Sequence, residues 1–177
     1  MTNKHLTFAI FGNSFQPRKS QSLMRVLDFL RSKEASIIFD RTFYDFLTAE
    51  QNQELGEVGT FEGDDFNADY VISMGGDGTF LKAAVRVGIK SIPLIGINMG
   101  RLGFLADVLP GEVETALQAV LEGNYNIEEH TAIQISTNGG DFDGCHYALN
   151  DIAVLKRDIA SMIGIHTSID GSFLVNY

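Results

Sequence analysis

The chain has 177 residues, of which 45% are hydrophobic, 10% aromatic and 20% charged, a composition that folds and that suits one ordinary domain or two small ones. Its formal net charge of −10 argues against broad nucleic-acid binding and against an electrostatic membrane anchor, but leaves room for a nucleotide, whose phosphates a few local donors can hold. A single cysteine, Cys145, rules out an intrachain disulfide and fits a cytoplasmic location; the N-terminus lacks a signal-peptide layout and no run approaches the about 18 apolar residues of a membrane helix.

Taken in order, LTFAIFG (6–12) reads as a short buried strand ending at a glycine. Leu23, Val26, Leu27 and Leu30 then recur at helical spacing, with Ser20 or Ser22 as the cap. ASIIFD (35–40) is a second strand, residues 41–55 are partly helical, and the acidic, glycine-containing stretch 54–69 reads as a surface loop. YVISM (70–74) is a buried strand, and Phe80, Leu81, Ala84 and Val85 give the next helical face, with Gly88 as its stop. SIPLIGIN (91–98) is a strand, and Val113, Ala116, Leu117, Val120 and Leu121 mark a further helix before Gly123. Strands alternating with helices predict a parallel α/β sheet.

The pattern changes near Tyr125. Ile133 and Ile135 alternate with polar residues, Gly139-Gly140-Asp141 reads as a hairpin turn, YALNDIAVLKRD and SMIGIHTSI are strand-like, and IDGSF carries an Asp-Gly hairpin signal. The expected organisation is an α/β nucleotide-binding domain over residues 1–124 followed by part of an all-β domain over 125–177. Three or four strands leave edges that want partners, so the β domain is expected to be cut short.

The chemistry concentrates where YVISM meets its helix, in Gly75-Gly76-Asp77-Gly78-Thr79. The free N–H groups of a helix's first turn favour an anion, and glycines let a ligand approach the backbone, so Gly75, Gly76, Gly78 and Thr79 form a phosphate cradle. Asp77 sits against that grain. It can coordinate magnesium, accept a proton from an attacking hydroxyl, or cap the helix; capping alone is worth about 1 kcal/mol and does not require three glycines around it. The turn is neither a P-loop nor a dinucleotide fingerprint. A second glycine-rich stretch, GINMGRLGFL (96–105), follows the next strand and would line the same crevice beyond the strands' carboxyl ends. In it Asn98 is a binding candidate, and Phe104 either stacks on a base or, with Leu105, belongs to the core, the reading composition alone favours. Asn150 and Asp151 would face opposite sides of a regular strand and reach one ligand only from a strand end or bulge.

These three segments, in this order, resemble the NAD kinase family: the five-residue turn, the GINMGRLGFL stretch, and Asn150-Asp151 as the family's Asn-Glu/Asp pair. The five-residue turn alone is shared with diacylglycerol and sphingosine kinases and with phosphofructokinases; the second stretch and its distance from the first select NAD kinase. The resemblance implies transfer of a phosphoryl group from ATP, or polyphosphate in some members, to the 2′-hydroxyl of the adenosine ribose of NAD. It makes Asp77 the proton acceptor, has Asn150 and Asp151 hydrogen-bond NAD, and puts Phe104 beside the adenine. Magnesium would enter on ATP, with no residue assigned as a metal ligand, and the intact enzyme would be a cytoplasmic homo-oligomer free of nucleic-acid or membrane partners. Arg101 could assist, whereas Arg18 and Lys19 read as solvated charges. Two departures stand out: His130 where the family usually has arginine, and no T-P-T-G-S-T-A-Y-like segment after DGSFLVNY, so the chain is expected to be inactive or weakly active as it stands. A lipid kinase, disfavoured by the charge, and a non-catalytic nucleotide-binding module are the alternatives.

Overall fold

The computed structural model describes residues 5–12, 20–100, 103–139, 146–155 and 162–177. Arg18, Lys19, Arg101, Gly140, Asp141 and Cys145 lie outside the described residues. The first half alternates strand and helix: β1 (Thr7–Gly12), α1 (Ser20–Ser32), β2 (Ser36–Asp40), α2 (Arg41–Asp45, running on into a π-helical turn at Phe46–Glu50), β3 (Gly59–Phe61), β4 (Tyr70–Gly75), α3 (Asp77–Val87), β5 (Leu94–Asn98) and α4 (Val113–Leu121). All five strands pair in parallel, in the order β3-β2-β1-β4-β5. The order reverses at β1, between the outward run to β3 and the return through β4 to β5. The carboxyl ends of β1 and β4 therefore flank the switch point at which open sheets of this kind take ligands.

Both faces of the sheet are covered, which is why its strands read as near-continuous apolar runs. One face, including Phe8, Ile10, Phe39, Ile72 and Ile97, packs under Leu23, Val26, Leu27 and Leu30 of α1 and Val113 and Leu117 of α4. The other, with Ala9, Phe11 and Val71, packs under Ala83 and Val87 of α3. Arg25 of α1 donates to Glu114 of α4 from its Nε at 2.5 Å, tying the two helices on the first face. On the second, Arg86 in the last turn of α3 pairs with Asp40 at 2.8 Å and lies over the Phe11 ring, so the helix is held at its far end as well as at the turn that starts it.

Residues 54–69 depart from the expected loop. Gly59–Phe61 is an edge strand paired with β2, and Phe61 and Phe66 are buried against Phe11 with ring centroids 5.2 and 5.6 Å away. Three residues are too few for a period to show, and the acidic flanks masked them. Helix α1 begins at Ser20, which puts Ser22 inside its first turn, not at its cap. Gly88 ends α3 with φ +54°, as its position suggested.

Beyond α4 the chain turns antiparallel. The Tyr125 hydroxyl lies 3.1 Å from that of Tyr70 at the start of β4, a bond that pushes the Tyr70 phenol up to about 12. Two small sheets follow, β6 (Ile133–Gln134) with β7 (Tyr147–Ala148), and β8 (His166–Ile169) with β9 (Ser172–Asn176). The second is closed by Asp170 and Gly171, both at positive φ, the turn the Asp-Gly pair predicts. Strand β7 is only two residues long, so the strand expected through Leu155 does not form there. The architecture is α/β with small antiparallel β elements behind it.

Leu27 is fully buried between α1 and the sheet. Leu27→Ala should lower the unfolding free energy by about 3 kcal/mol, read as a shift in the urea midpoint at unchanged slope. A change below about 1 kcal/mol would contradict the packing described.

Candidate active site

Strand register brings the two glycine-rich turns together. Gly75, the last residue of β4, is the Cα partner of Asn98, the last of β5, and the Met99 N–H donates to the Gly75 carbonyl at 3.0 Å. Gly76 is the helix cap, in extended conformation, and its carbonyl accepts from the N–H groups of Thr79 and Phe80 at 2.9 and 3.1 Å. Asp77 is therefore the first residue inside α3. Its carboxylate does not cap its own helix but crosses to the neighbouring loop, where Oδ2 accepts the Phe104 N–H at 2.9 Å and Oδ1 accepts those of Leu105 and Ala106 at 3.0 and 3.2 Å. These three bonds, that from Phe104 foremost, hold the Asp77 carboxyl below the usual carboxylate range. It is ionised at neutral pH and a weak base, and with about four acceptor positions on a carboxylate only one, on Oδ2, is left for a further donor.

Asn98 braces the other end of the loop. Its side chain is 1% exposed; Nδ2 donates to the Ala106 carbonyl at 3.1 Å, and Oδ1 accepts the Gly100 N–H at 2.7 Å. The chain then returns beside β5 through a parallel bridge between Ile97 and Val108. Asn98 thus shapes the loop from beneath. Phe104 at the loop's tip is 100% exposed, so the core reading favoured by composition does not hold.

The motif glycines divide into two kinds. A Cβ on Gly75 would overlap the buried Thr79 side chain, so the fold itself requires that glycine. A Cβ on Gly76 or Gly78 would meet nothing within 4 Å, and neither residue has a positive φ. Among the described residues neither packing nor backbone conformation accounts for glycine at these two positions, which leaves their backbone open to close approach. Asn150 and Asp151 are exposed just beyond β7, a strand that lies against α3, and they take no part in the bonding around Asp77. His130, also exposed, lies 3.5 Å from Glu128. Among the described residues no three His, Cys, Asp or Glu side chains cluster to hold a metal, and no helix is long and apolar enough to cross a membrane.

Sequence reasoning found Asp77 but missed what it binds. No sequence signal named the partners, because the donors lie 27–29 positions further on, in a loop with no period of its own.

The structure is thus of the open, doubly wound α/β class, with two glycine-rich turns side by side past the carboxyl ends of β4 and β5. Residues 8–125 match the family described as ATP-NAD kinase N-terminal domain. The NAD kinase of Bacteroides fragilis is 45% identical over 172 residues, which are 97% of this chain and 59% of that protein. Those of Cytophaga hutchinsonii and Porphyromonas gingivalis are 36% and 33% identical, over 97% and 96% of this chain and 60% and 58% of their own lengths. Among solved structures, that of yeast NADH kinase complexed with NADH superposes with a TM-score of 0.72 over 97% of this chain and 54% of its own, at 16% identity, a likeness of fold. The chain belongs to the NAD kinase family, and it spans about three-fifths of the length of these curated relatives.

If Gly78 is glycine for a ligand's sake, replacing it should help the fold. Gly78→Ala should raise stability by about 0.5–1 kcal/mol in thermal denaturation, from helix propensity and the narrowed unfolded ensemble. Gly75→Ala should lower it. Destabilisation by Gly78→Ala would return that glycine to a structural role.

Proposed function

We propose that the protein is an NAD kinase, transferring the γ-phosphoryl group of ATP to the 2′-hydroxyl of the adenosine ribose of NAD to give NADP. The observation that carries the reading is the ionised Asp77 carboxylate, fixed by three backbone amides and flanked by Gly76 and Gly78, whose open backbone the fold does not explain. Family membership and the names of the curated relatives support the same activity.

In this reading Asp77 orients the ribose hydroxyl through the free position on Oδ2. An alcohol holds its proton far too tightly for a carboxylate below the usual pKa of about 4 to remove it in advance. Asp77 takes the proton late, as the phosphoryl group arrives, and its main contribution is placement, on which phosphoryl transfer chiefly depends. The exposed Phe104 ring borders the adenine, and Gly76 and Gly78 receive the ligand along the turn, with Gly75 and Thr79 packed together beneath it. Asn150 and Asp151 hydrogen-bond NAD from the β-rich segment, in a site between an α/β domain over residues 1–124 and the β-rich part from 125. Asn98 serves the ligand through the loop it braces. The divalent cation, magnesium, arrives as part of the ATP substrate, where one carboxylate and the phosphates suffice to bind it. The intact enzyme is a cytoplasmic homo-oligomer.

Full-length protein incubated with ATP, magnesium and NAD should form NADP, and Asp77→Asn should reduce kcat by about 10²–10⁴-fold while the protein stays folded by circular dichroism. Phosphorylation of diacylglycerol or sphingosine in place of NAD would make it a lipid kinase, and nucleotide binding without turnover would make it a binding module.

A further inference from the structure

We propose that Gly103 is a positioning residue for the reaction: by lacking a side chain it allows the Phe104, Leu105 and Ala106 amides to close on Asp77, and so sets where that carboxylate stands. The inference rests on the reading of Asp77 as the group that meets the reacting hydroxyl.

The geometry is specific to this glycine. The three atoms nearest to a Cβ built on Gly103 are Cγ and both oxygens of Asp77, with Cγ at 2.6 Å, closer than real Cβ atoms come to any neighbour. Gly103 has no positive φ, so its backbone would accept alanine. The conflict is with the Asp77 carboxylate, the end of a side chain that can swing away. Gly96 is different, because its Cβ would strike the Ala106 backbone at 2.6 Å, where relief would require moving the chain itself. Gly111 is different again, with nothing within 4 Å of its Cβ. Substitution at 103 should therefore leave the sheet and helices in place while breaking the bonds that aim Asp77.

The consequence reaches both sides of the knot. An expelled carboxylate loses its three amide donors and the orientation they impose, and the loop bearing Phe104 loses its tether to α3. Asn98 still braces the loop at Gly100 and Ala106, so the loop keeps its path at both ends and slackens at its tip. A misplacement of the order of 1 Å at the reacting group is enough to cost about 10²-fold in rate.

The test compares full-length wild-type protein with Gly103→Ala, using Gly111→Ala as control, by amide hydrogen exchange at residues 104–106 and by steady-state kinetics with ATP and NAD. Gly103→Ala should keep its fold, speed exchange at 104–106 by about tenfold or more, and lose about 10–100-fold in kcat with a smaller change in either KM. The control should match wild type in every respect. Unchanged exchange, faster exchange with kcat within about twofold, or a Gly103→Ala protein that does not fold would each overturn the proposal. If the wild type itself forms no NADP, it is the assigned activity that fails, a result read before any variant is compared; exchange alone then decides whether Gly103 holds Asp77 in place.

Discussion

One acidic side chain bonded to three consecutive backbone amides organises the candidate site. The Asp77 carboxylate joins the first turn of α3 to the loop after β5, two elements separated by 27–29 positions in the chain. Each partner resolves a difficulty for the other. The loop tip gains an acceptor for N–H groups that no regular structure uses, and the carboxylate gains donors that keep it charged in a half-buried position. Without it, the exposed Phe104 would ride on a loop fastened only at its base, and the acidic group would be free to choose among rotamers.

The fold makes this contact possible through register. β4 and β5 end side by side, so the turns that leave them are neighbours before any side chain is considered. Gly76 opens the helix and turns the next side chain toward β5, and Asn98 folds the following loop back so that its amides face α3. The site is thus built on the end of a sheet buried on both faces. Arg86 at the other end of α3 is held by Asp40 and the Phe11 ring, and this limits how far the helix can tilt at its first turn.

Much of this was legible beforehand. The parallel α/β class followed from strands alternating with helices, because each element carried enough apolar residues to show its period. The turn drew attention because three glycines around an aspartate exceed what capping needs. The edge strand at Gly59–Phe61 was not legible, since three residues cannot display an alternation and Phe61 and Phe66 stand in an acidic tract. Nor was the use made of Asp77 and Asn98. Both look like ligand-binding polar residues in one dimension, yet in three dimensions both bond to the same loop, Asp77 with three of its roughly four acceptor positions. Phe104 illustrates the reverse case: an apolar residue that composition assigns to the core stands wholly in solvent because the loop beneath it is held by polar side chains.

The central claim is that the loop's amides hold Asp77 as an oriented, charged acceptor. It is tested most directly by titrating the Asp77 carboxyl carbon by NMR in the ligand-free protein. The account predicts a midpoint below the ordinary aspartate value of about 3.9. The sign for stability follows: a depressed folded-state pKa contributes stability that is present above the unfolded value and lost as pH falls through the folded one. A midpoint at or above the ordinary value would mean that the three amides do not hold the carboxylate, and would contradict the account.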